Sequence, residues 1–181
     1  MNPSSNEIDL GLVLRAASFA AHKHRDQRRK DRAASPYINH PIALANVLAN
    51  EGDVQRAIVL AAALLHDTIE DTDTTYDELV AEFGKEIAAV VLEVTDDKLL
   101  TKQERKRLQV EHASSISHDA KLVKLADKIC NIRDITSSPP SDWSLDRKRE
   151  YFDWAKQVVD QLRGVNTNLE DLFDAEYKRK P

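Results

Sequence analysis

The stretch AIVLAAALLHD, residues 57–67, is the most apolar part of the sequence and ends in a histidine and an aspartate. It predicts a helix from about Val54 to Asp67 that is apolar on most of its sides, as expected where other helices surround it. The uncharged run from Ala57 to Leu65 is far too short to span a bilayer. We therefore expect this segment to be the central buried helix of a soluble protein.

The rest of the sequence favours further helices around this one. Of 181 residues, 41% are hydrophobic and 31% are charged, and only four are glycine and six proline. Such a composition suits long helices with short connections better than a turn-rich β fold. Helical periodicity recurs from about Glu7 onward, and Thr-x-x-Glu capping patterns at Thr75 and Thr101 mark two helix starts. We predict an all-α fold without strands: a single domain over residues 1–181, with its core at about 7–164 and eight to nine helices.

Charge and cysteine content exclude several classes of protein. The net charge of -5 makes the chain a poor general nucleic-acid binder, because such binding relies on neutralising many phosphates. The single cysteine, Cys130, cannot form an internal disulfide and suits a reducing compartment. The start, from Met1 to Asp9, is polar and lacks the apolar run of a signal peptide. We expect a cytoplasmic protein that binds neither nucleic acid nor membrane.

Histidine and carboxylate side chains in three separate segments indicate a metal site. His66 and Asp67 end the central helix, where burying them is costly unless they are paired or bind a metal. His40 precedes Pro41 at a predicted loop-to-helix junction, and Asp127 lies within an apolar-patterned helix. Two histidines and two aspartates form a nitrogen and oxygen ligand set that suits manganese, iron or zinc. Such an ion would acidify a water molecule and make it a nucleophile.

Each of these residues also has an ordinary structural interpretation. A histidine before a proline, such as His40, is often a capping or core residue, and Asp127 could pair with Lys124 on its own helix. A His-Asp dipeptide is common by chance. Taken together, a histidine, then His-Asp, then a distant aspartate on separate helices favours the metal site.

Two further carboxylates, Glu70 and Asp71, follow the His-Asp pair closely. If the helix continues, Glu70 shares a face with His66 and Asp71 shares one with Asp67, since residues four apart lie on one side. Neither is needed as a ligand. Both could therefore orient a water molecule and accept its proton.

Four stretches resemble a known family: YINHP (residues 37–41), ALLHDTIEDT (63–72), EVTDDK (93–98) and KLVKLADK (121–128). With them, the chain resembles the small alarmone hydrolases of the metazoan SpoT homologue type. These are stand-alone versions of the RelA/SpoT hydrolase domain and members of the HD superfamily. The similarity runs from about Ala16 to Gly164, and the synthetase domain of the long RelA/SpoT enzymes is absent.

This resemblance implies an all-α HD domain with Glu70 and Asp71 as the catalytic pair. It implies one manganese ion with four ligands: His40, His66, Asp67 and Asp127. The implied activity is manganese-dependent hydrolysis of the 3′-pyrophosphate of (p)ppGpp, which gives GDP or GTP plus pyrophosphate. The expected partner is therefore a small guanine nucleotide.

The sequence gives fewer indications of which residues bind the substrate. The run HKHRDQRRKDR, residues 22–32, holds six lysines or arginines and shortly precedes His40. It is either a solvated loop or a phosphate-binding segment, and the resemblance places Arg29 and Lys30 near the substrate. Four further candidates are expected either to contact the nucleotide or to have a packing or surface role: Asn131, Trp143, Arg147 and Tyr151.

Two other functions are compatible with the same residues. The site could act on another nucleotide with a ribose 2′- or 3′-phosphate, such as NADPH, and no residue separates this substrate from ppGpp. The chain could also be a non-catalytic nucleotide sensor. The presence of both Glu70 and Asp71 speaks against a sensor, because binding alone does not need them.

Overall fold

The computed structural model describes residues 9–181, so the expected start of the first helix near Glu7 lies outside the described residues. The described chain is almost entirely helical, which confirms the all-α prediction. Its ten α-helices are α1 (Leu10–Lys23), α2 (Asn39–Asn46), α3 (Ala57–Leu65), α4 (Thr68–Asp71), α5 (Tyr76–Phe83), α6 (Lys85–Val94), α7 (Lys102–His112), α8 (His118–Ser137), α9 (Leu145–Asp160) and α10 (Thr167–Tyr177). Within residues 9–181, the β-type pairing consists of one isolated antiparallel bridge between Arg28 and Pro36.

Helix α3 lies at the centre, as its composition predicts. All residues from Val59 to Leu65 are buried, and α1, α2, α6 and α8 pack around the helix. Because α3 is covered on every side, it needs no polar face. None of the helices in residues 9–181 has both the length and the apolar character needed to cross a membrane.

The predicted helix 54–67 is shorter in the structure, because the chain turns at His66 and Asp67. Helix α4 begins directly after this turn and accounts for the one helix beyond the predicted eight to nine. The amide of Asp71 still bonds to the carbonyl of Asp67 at 2.8 Å. The turn therefore places α4 directly beside the end of α3.

Helix starts follow the predicted capping chemistry. The side chain of Thr75 accepts a hydrogen bond from the amide of Glu78, and Thr101 forms a full capping box with Glu104. Each cap satisfies amides that would otherwise lack a partner at the first turn.

The longest helix, α8, connects the two sides of the bundle. Twelve of its residues are buried, and it contacts α2, α3, α6, α9 and α10. The core continues past the expected limit at residue 164, since Leu169 and Phe173 of α10 are fully buried and α10 packs on α8. Helix α8 therefore spans the bundle and presents one face toward the ends of α2 and α3.

Candidate metal centre and active site

His40, His66 and Asp67 converge at the ends of α2 and α3. One ligand atom from each lies within 4.8 Å of the others, in a geometry that could hold a metal ion. Asp127 reaches the same point from α8, with its Oδ1 3.2 Å from Nε2 of His40. The structure therefore brings together all four predicted ligands from three helical segments.

The ring of His66 is oriented for binding a cation. Its Nδ1 lies 2.8 Å from the carbonyl oxygen of Ala63, and because a carbonyl only accepts, Nδ1 carries the proton. In the neutral ring, Nε2 then presents its lone pair. This atom is buried without a hydrogen-bond partner among the described residues, although Oδ2 of Asp67 lies 2.9 Å away. A lone pair facing a carboxylate at this distance is unfavourable unless a cation or proton lies between them.

The close contact between His66 and Asp67 also shifts the pKa values of both side chains. Burial alone lowers the pKa of His66, but the adjacent carboxylate of Asp67 more than offsets it and raises the pKa to about 9. For Asp67, burial acts to raise the pKa, yet the charge of His66 holds it below its usual range. A metal ion would therefore displace a proton from His66 on binding.

Neighbouring side chains hold the two aspartates in place. The hydroxyl of Tyr37 donates to Oδ2 of Asp67. Asp127 accepts from Asn131 at 2.6 Å and from the ammonium of Lys128 at 3.0 Å. The alternative pairing of Asp127 with Lys124 is not observed. Such outer contacts orient metal ligands and tune their affinity.

Glu70 and Asp71 line the same cavity as these four residues but are not part of the cluster that His40, His66 and Asp67 form. Glu70 accepts a hydrogen bond from the amide of Asp96 at 3.1 Å, and Arg105 lies 3.6 Å from its other oxygen. Burial raises the pKa of Glu70 to about 7, although the amide of Asp96 lowers it. A carboxyl group with a pKa near neutrality is well suited to exchange protons with water.

The side chain of Asp71 contacts two other side chains that line or adjoin the site. It accepts from the side-chain amide of Gln27 at 3.2 Å and forms an ion pair with Lys98. Both partners come from outside α4, so the orientation of Asp71 depends on tertiary contacts.

A cavity of about 610 Å³ opens onto the four predicted ligands and the Glu70–Asp71 pair. Every predicted substrate residue lines it: Arg29, Lys30, Asn131, Trp143, Arg147 and Tyr151. Arg25 and Arg28, from the same basic run, do not line it and are exposed. The basic run is therefore divided, with one part facing the cavity and one facing solvent.

The sequence analysis missed a second set of lining residues, most of them basic. These are Tyr37, Lys102, Arg105, Lys106, Gln109, Lys124, Lys128 and Trp154. Four of them come from one face of α7, at positions 102, 105, 106 and 109. This i, i+3, i+4, i+7 spacing is visible in the sequence and could have identified a basic helix face.

Aromatic rings and cations form one wall of the cavity. The guanidinium of Arg147 lies 4.4 Å from the centre of the Trp143 ring, which packs against Tyr151 at 5.6 Å. The indole nitrogen of Trp143 is buried without a hydrogen-bond partner in residues 9–181. Arg29, which also lines the cavity, forms an ion pair with Asp134 and lies over the ring of Tyr37. The wall thus combines surfaces for stacking with cations for phosphates.

Comparison with known proteins agrees with this architecture. The model of the HD domain family matches residues 16–153, and the chain belongs to this family. Within it, the chain is 55% identical over 166 residues to guanosine-3′,5′-bis(diphosphate) 3′-pyrophosphohydrolase MESH1 of Xenopus tropicalis, covering 92% of this chain and 93% of the relative. It is also 55% identical to the human protein of the same name, over 93% of this chain and 94% of the relative.

A solved structure of a metazoan orthologue of SpoT, described as hydrolysing ppGpp and playing a role in starvation responses, is similar throughout. It superposes with a TM-score of 0.90 at 46% identity, covering 98% of this chain and 97% of that one. These similarities confirm the resemblance to the stand-alone metazoan SpoT homologues.

Proposed function

We propose that this protein hydrolyses the 3′-pyrophosphate of (p)ppGpp and yields GDP or GTP plus pyrophosphate. The observation that carries the proposal is the convergence of His40, His66 and Asp67 at a cavity with basic and aromatic walls. The similar metazoan proteins named as 3′-pyrophosphohydrolases support the substrate assignment.

We infer that the site holds one manganese ion. The residues that would hold it are His40, His66, Asp67 and Asp127, a nitrogen and oxygen set that suits manganese. When bound, the ion supplies Lewis acidity that activates a water molecule and polarises the phosphoryl group. Tyr37 and Asn131 keep the two aspartates directed at the centre.

In the reaction, water attacks the phosphorus attached to the ribose 3′-oxygen, and Glu70 accepts a proton from that water. The bond between phosphorus and the 3′-oxygen breaks, its electron pair stays on the 3′-oxygen, that oxygen takes up a proton from bulk water, and Glu70 returns its own proton to bulk water. Glu70 suits this role because its pKa is close to neutrality and because it lies next to the candidate ligands. Asp71, held by Gln27 and Lys98, would orient the water.

The cavity walls would bind the rest of the nucleotide. Arg29, Lys30 and Arg147 would neutralise phosphates that are not cleaved, and Trp143 or Tyr151 would stack against the base. Because these contacts persist throughout the reaction, they should act mainly on substrate affinity.

The experiment that tests this function is a substrate panel with the purified, manganese-loaded protein. Incubation with ppGpp should release GDP and pyrophosphate, both quantified by anion-exchange chromatography. Exhaustive chelation should abolish the release, and added manganese should restore it. NADPH and a cyclic nucleotide serve as comparison substrates, and preference for NADPH over ppGpp would reassign the substrate. Absence of hydrolysis with intact metal binding would favour the nucleotide sensor instead.

A further inference from the structure

His24, which directly follows α1, is a buried histidine that the proposed mechanism does not use. Only 2% of the residue is exposed, and its ring packs against that of Tyr37 at a centroid distance of 4.8 Å. Its Nδ1 lies 2.6 Å from Oε1 of Gln27, whereas its Nε2 is buried without a hydrogen-bond partner among residues 9–181. A buried polar atom without a partner is costly, and an apolar side chain could fill the same space without this cost. The hydrogen bond made by Nδ1 is therefore what a histidine adds at this position.

The contact with Asp71 determines which way the side-chain amide of Gln27 faces. The amide nitrogen lies 3.2 Å from Oδ2 of Asp71, and because an ionised carboxylate only accepts, this atom must be the NH2 group. Oε1 of Gln27 then faces His24 and can only accept, so Nδ1 of His24 carries the proton and donates. The two bonds form a hydrogen-bond chain from His24 through Gln27 to Asp71.

Backbone contacts hold Gln27 at the centre of this hydrogen-bond chain. Its backbone amide donates to the carbonyl of His24 at 2.9 Å, and its carbonyl accepts from the backbone amide of Tyr37 at 3.1 Å. With the backbone held in this way, the side-chain torsions of Gln27 are what remain to be fixed. The hydrogen bond from His24 fixes them.

The other partner of Asp71 is less able to set its orientation. Lys98 forms an ion pair with Oδ1 of Asp71, but half of the lysine side chain is exposed. An exposed ion pair with a flexible lysine contributes little energy and restricts geometry weakly. The hydrogen-bond chain instead reaches Asp71 from the buried His24. Because a carboxylate can accept about four hydrogen bonds, Asp71 can still bind a water molecule beside both partners.

We propose that His24 is a positioning residue: by donating to Gln27, it holds the amide that orients Asp71 toward the attacking water. This inference rests on the proposed function, in which Asp71 orients that water. Neither His24 nor Gln27 lines the active-site cavity, so neither would contact the nucleotide. Their effect should therefore fall on kcat and leave KM unchanged.

The first test compares two substitutions of His24. In His24→Asn the side-chain nitrogen takes the position of Nδ1 and can still donate to Gln27, whereas His24→Leu keeps more apolar volume but has no donor. Removing an outer partner of a catalytic group typically costs roughly ten- to a hundredfold in activity. We expect His24→Leu to lower kcat for ppGpp by about this factor, with KM and bound manganese within about twofold of wild type, and His24→Asn to keep kcat within about threefold.

A residue that only packs would give the opposite order, because leucine preserves the apolar contacts better than asparagine. A more active His24→Leu than His24→Asn would therefore overturn the inference. So would a loss of manganese in His24→Leu, since the effect would then lie at the metal ligands. The matched control is His22→Leu, an exposed histidine of α1 that does not line the cavity, and it should leave kcat unchanged.

A double-mutant cycle tests whether the effect passes through Gln27. Gln27→Met keeps the length of the side chain and removes both hydrogen bonds, so it should lower kcat as much as His24→Leu does. The double variant should lose no more than either single variant, because both break the same hydrogen-bond chain. Losses that multiply would overturn the inference. Unchanged kcat in Gln27→Met would overturn it even if His24→Leu did not fold.

The tautomer of His24 gives a readout that does not depend on turnover. Two-bond ¹H–¹⁵N NMR spectra of the wild-type protein should show the proton of the neutral His24 ring on Nδ1, and a proton on Nε2 would overturn the inference. Failure of the wild-type protein to hydrolyse ppGpp would refute the proposed function. The NMR spectrum would still decide whether the hydrogen-bond chain from His24 exists.

Discussion

Replacing Glu70 by glutamine should make the metal-free protein more stable while it removes activity. Glu70 is mostly buried, with its side chain 20% exposed, and burial raises its pKa from 4.5 to about 7. A carboxyl group whose pKa is raised by folding destabilises the folded state wherever it is ionised. Glutamine keeps the shape and can still accept the amide hydrogen bond from Asp96. It carries no charge, so the cost of burying the ionised carboxylate is removed.

The size and pH range of the effect follow from the pKa shift. Raising the pKa of Glu70 from 4.5 to about 7 corresponds to about 3 kcal/mol in unfolding free energy, which partial solvent exposure reduces to on the order of 1–2 kcal/mol. Below pH 4.5 the group is protonated in both states and contributes nothing. The cost grows between pH 4.5 and 7 and is complete above about pH 7. For a chain of this length, the gain in Tm at pH 8 should be roughly 2–8 °C.

The assay is thermal unfolding of the chelated wild-type and Glu70→Gln proteins at pH 5 and pH 8, followed by circular dichroism. The gain in Tm should be small at pH 5 and full at pH 8. Single-turnover hydrolysis of ppGpp by the metal-loaded variant should fall by roughly a hundred- to ten-thousandfold. A variant that is no more stable at pH 8 than at pH 5, relative to wild type, would refute the reasoning on burial. Near-normal turnover would remove Glu70 from the proposed mechanism.

Four further outcomes are expected. Asp127→Ala should lose both bound manganese, measured by atomic absorption, and turnover, because removing one ligand misdirects the others; stoichiometric metal in this variant would show that Asp127 is not a ligand. Arg29→Ala and Lys30→Ala should each raise KM for ppGpp more than they lower kcat, and unchanged steady-state kinetics would mean that this segment is only a solvated surface. The kcat/KM of the wild-type protein, which reports the free enzyme, should rise with pH to a plateau with a midpoint no higher than about 7, because Glu70 must be ionised to accept a proton and a bound cation lowers its pKa. Asp71→Asn should preserve metal content and reduce turnover, and loss of metal would make Asp71 a ligand instead.

The local sequence pattern of apolar and capping residues was sufficient to predict the all-α fold class and the central helix. Burial on all sides selects an apolar composition, and α3 shows it over residues 57–65. Capping chemistry, as at Thr101, also acts within a few residues. The candidate ligands could be proposed for the same reason, since His66 and Asp67 are polar residues placed where an apolar helix must be buried. The core contribution of α10 lies beyond the predicted limit, although Leu169, Leu172 and Phe173 recur at helical spacing, because a local pattern does not show that α10 packs on α8.

Contacts between side chains that are far apart in the sequence could be identified only from the tertiary structure. Tyr37 reaches Asp67 across 30 positions, and Arg105 approaches Glu70 from α7, and no periodic pattern encodes such distances. The partner of Asp127 is the clearest case: the sequence allows an ion pair with Lys124 on the same helix, but the packing of α8 directs these two side chains differently. Asp127 pairs with Lys128, and Lys124 lines the cavity without forming an ion pair to Asp127. Periodicity determines which face of a helix is buried, whereas the side chains that meet one another there depend on how the helices pack together.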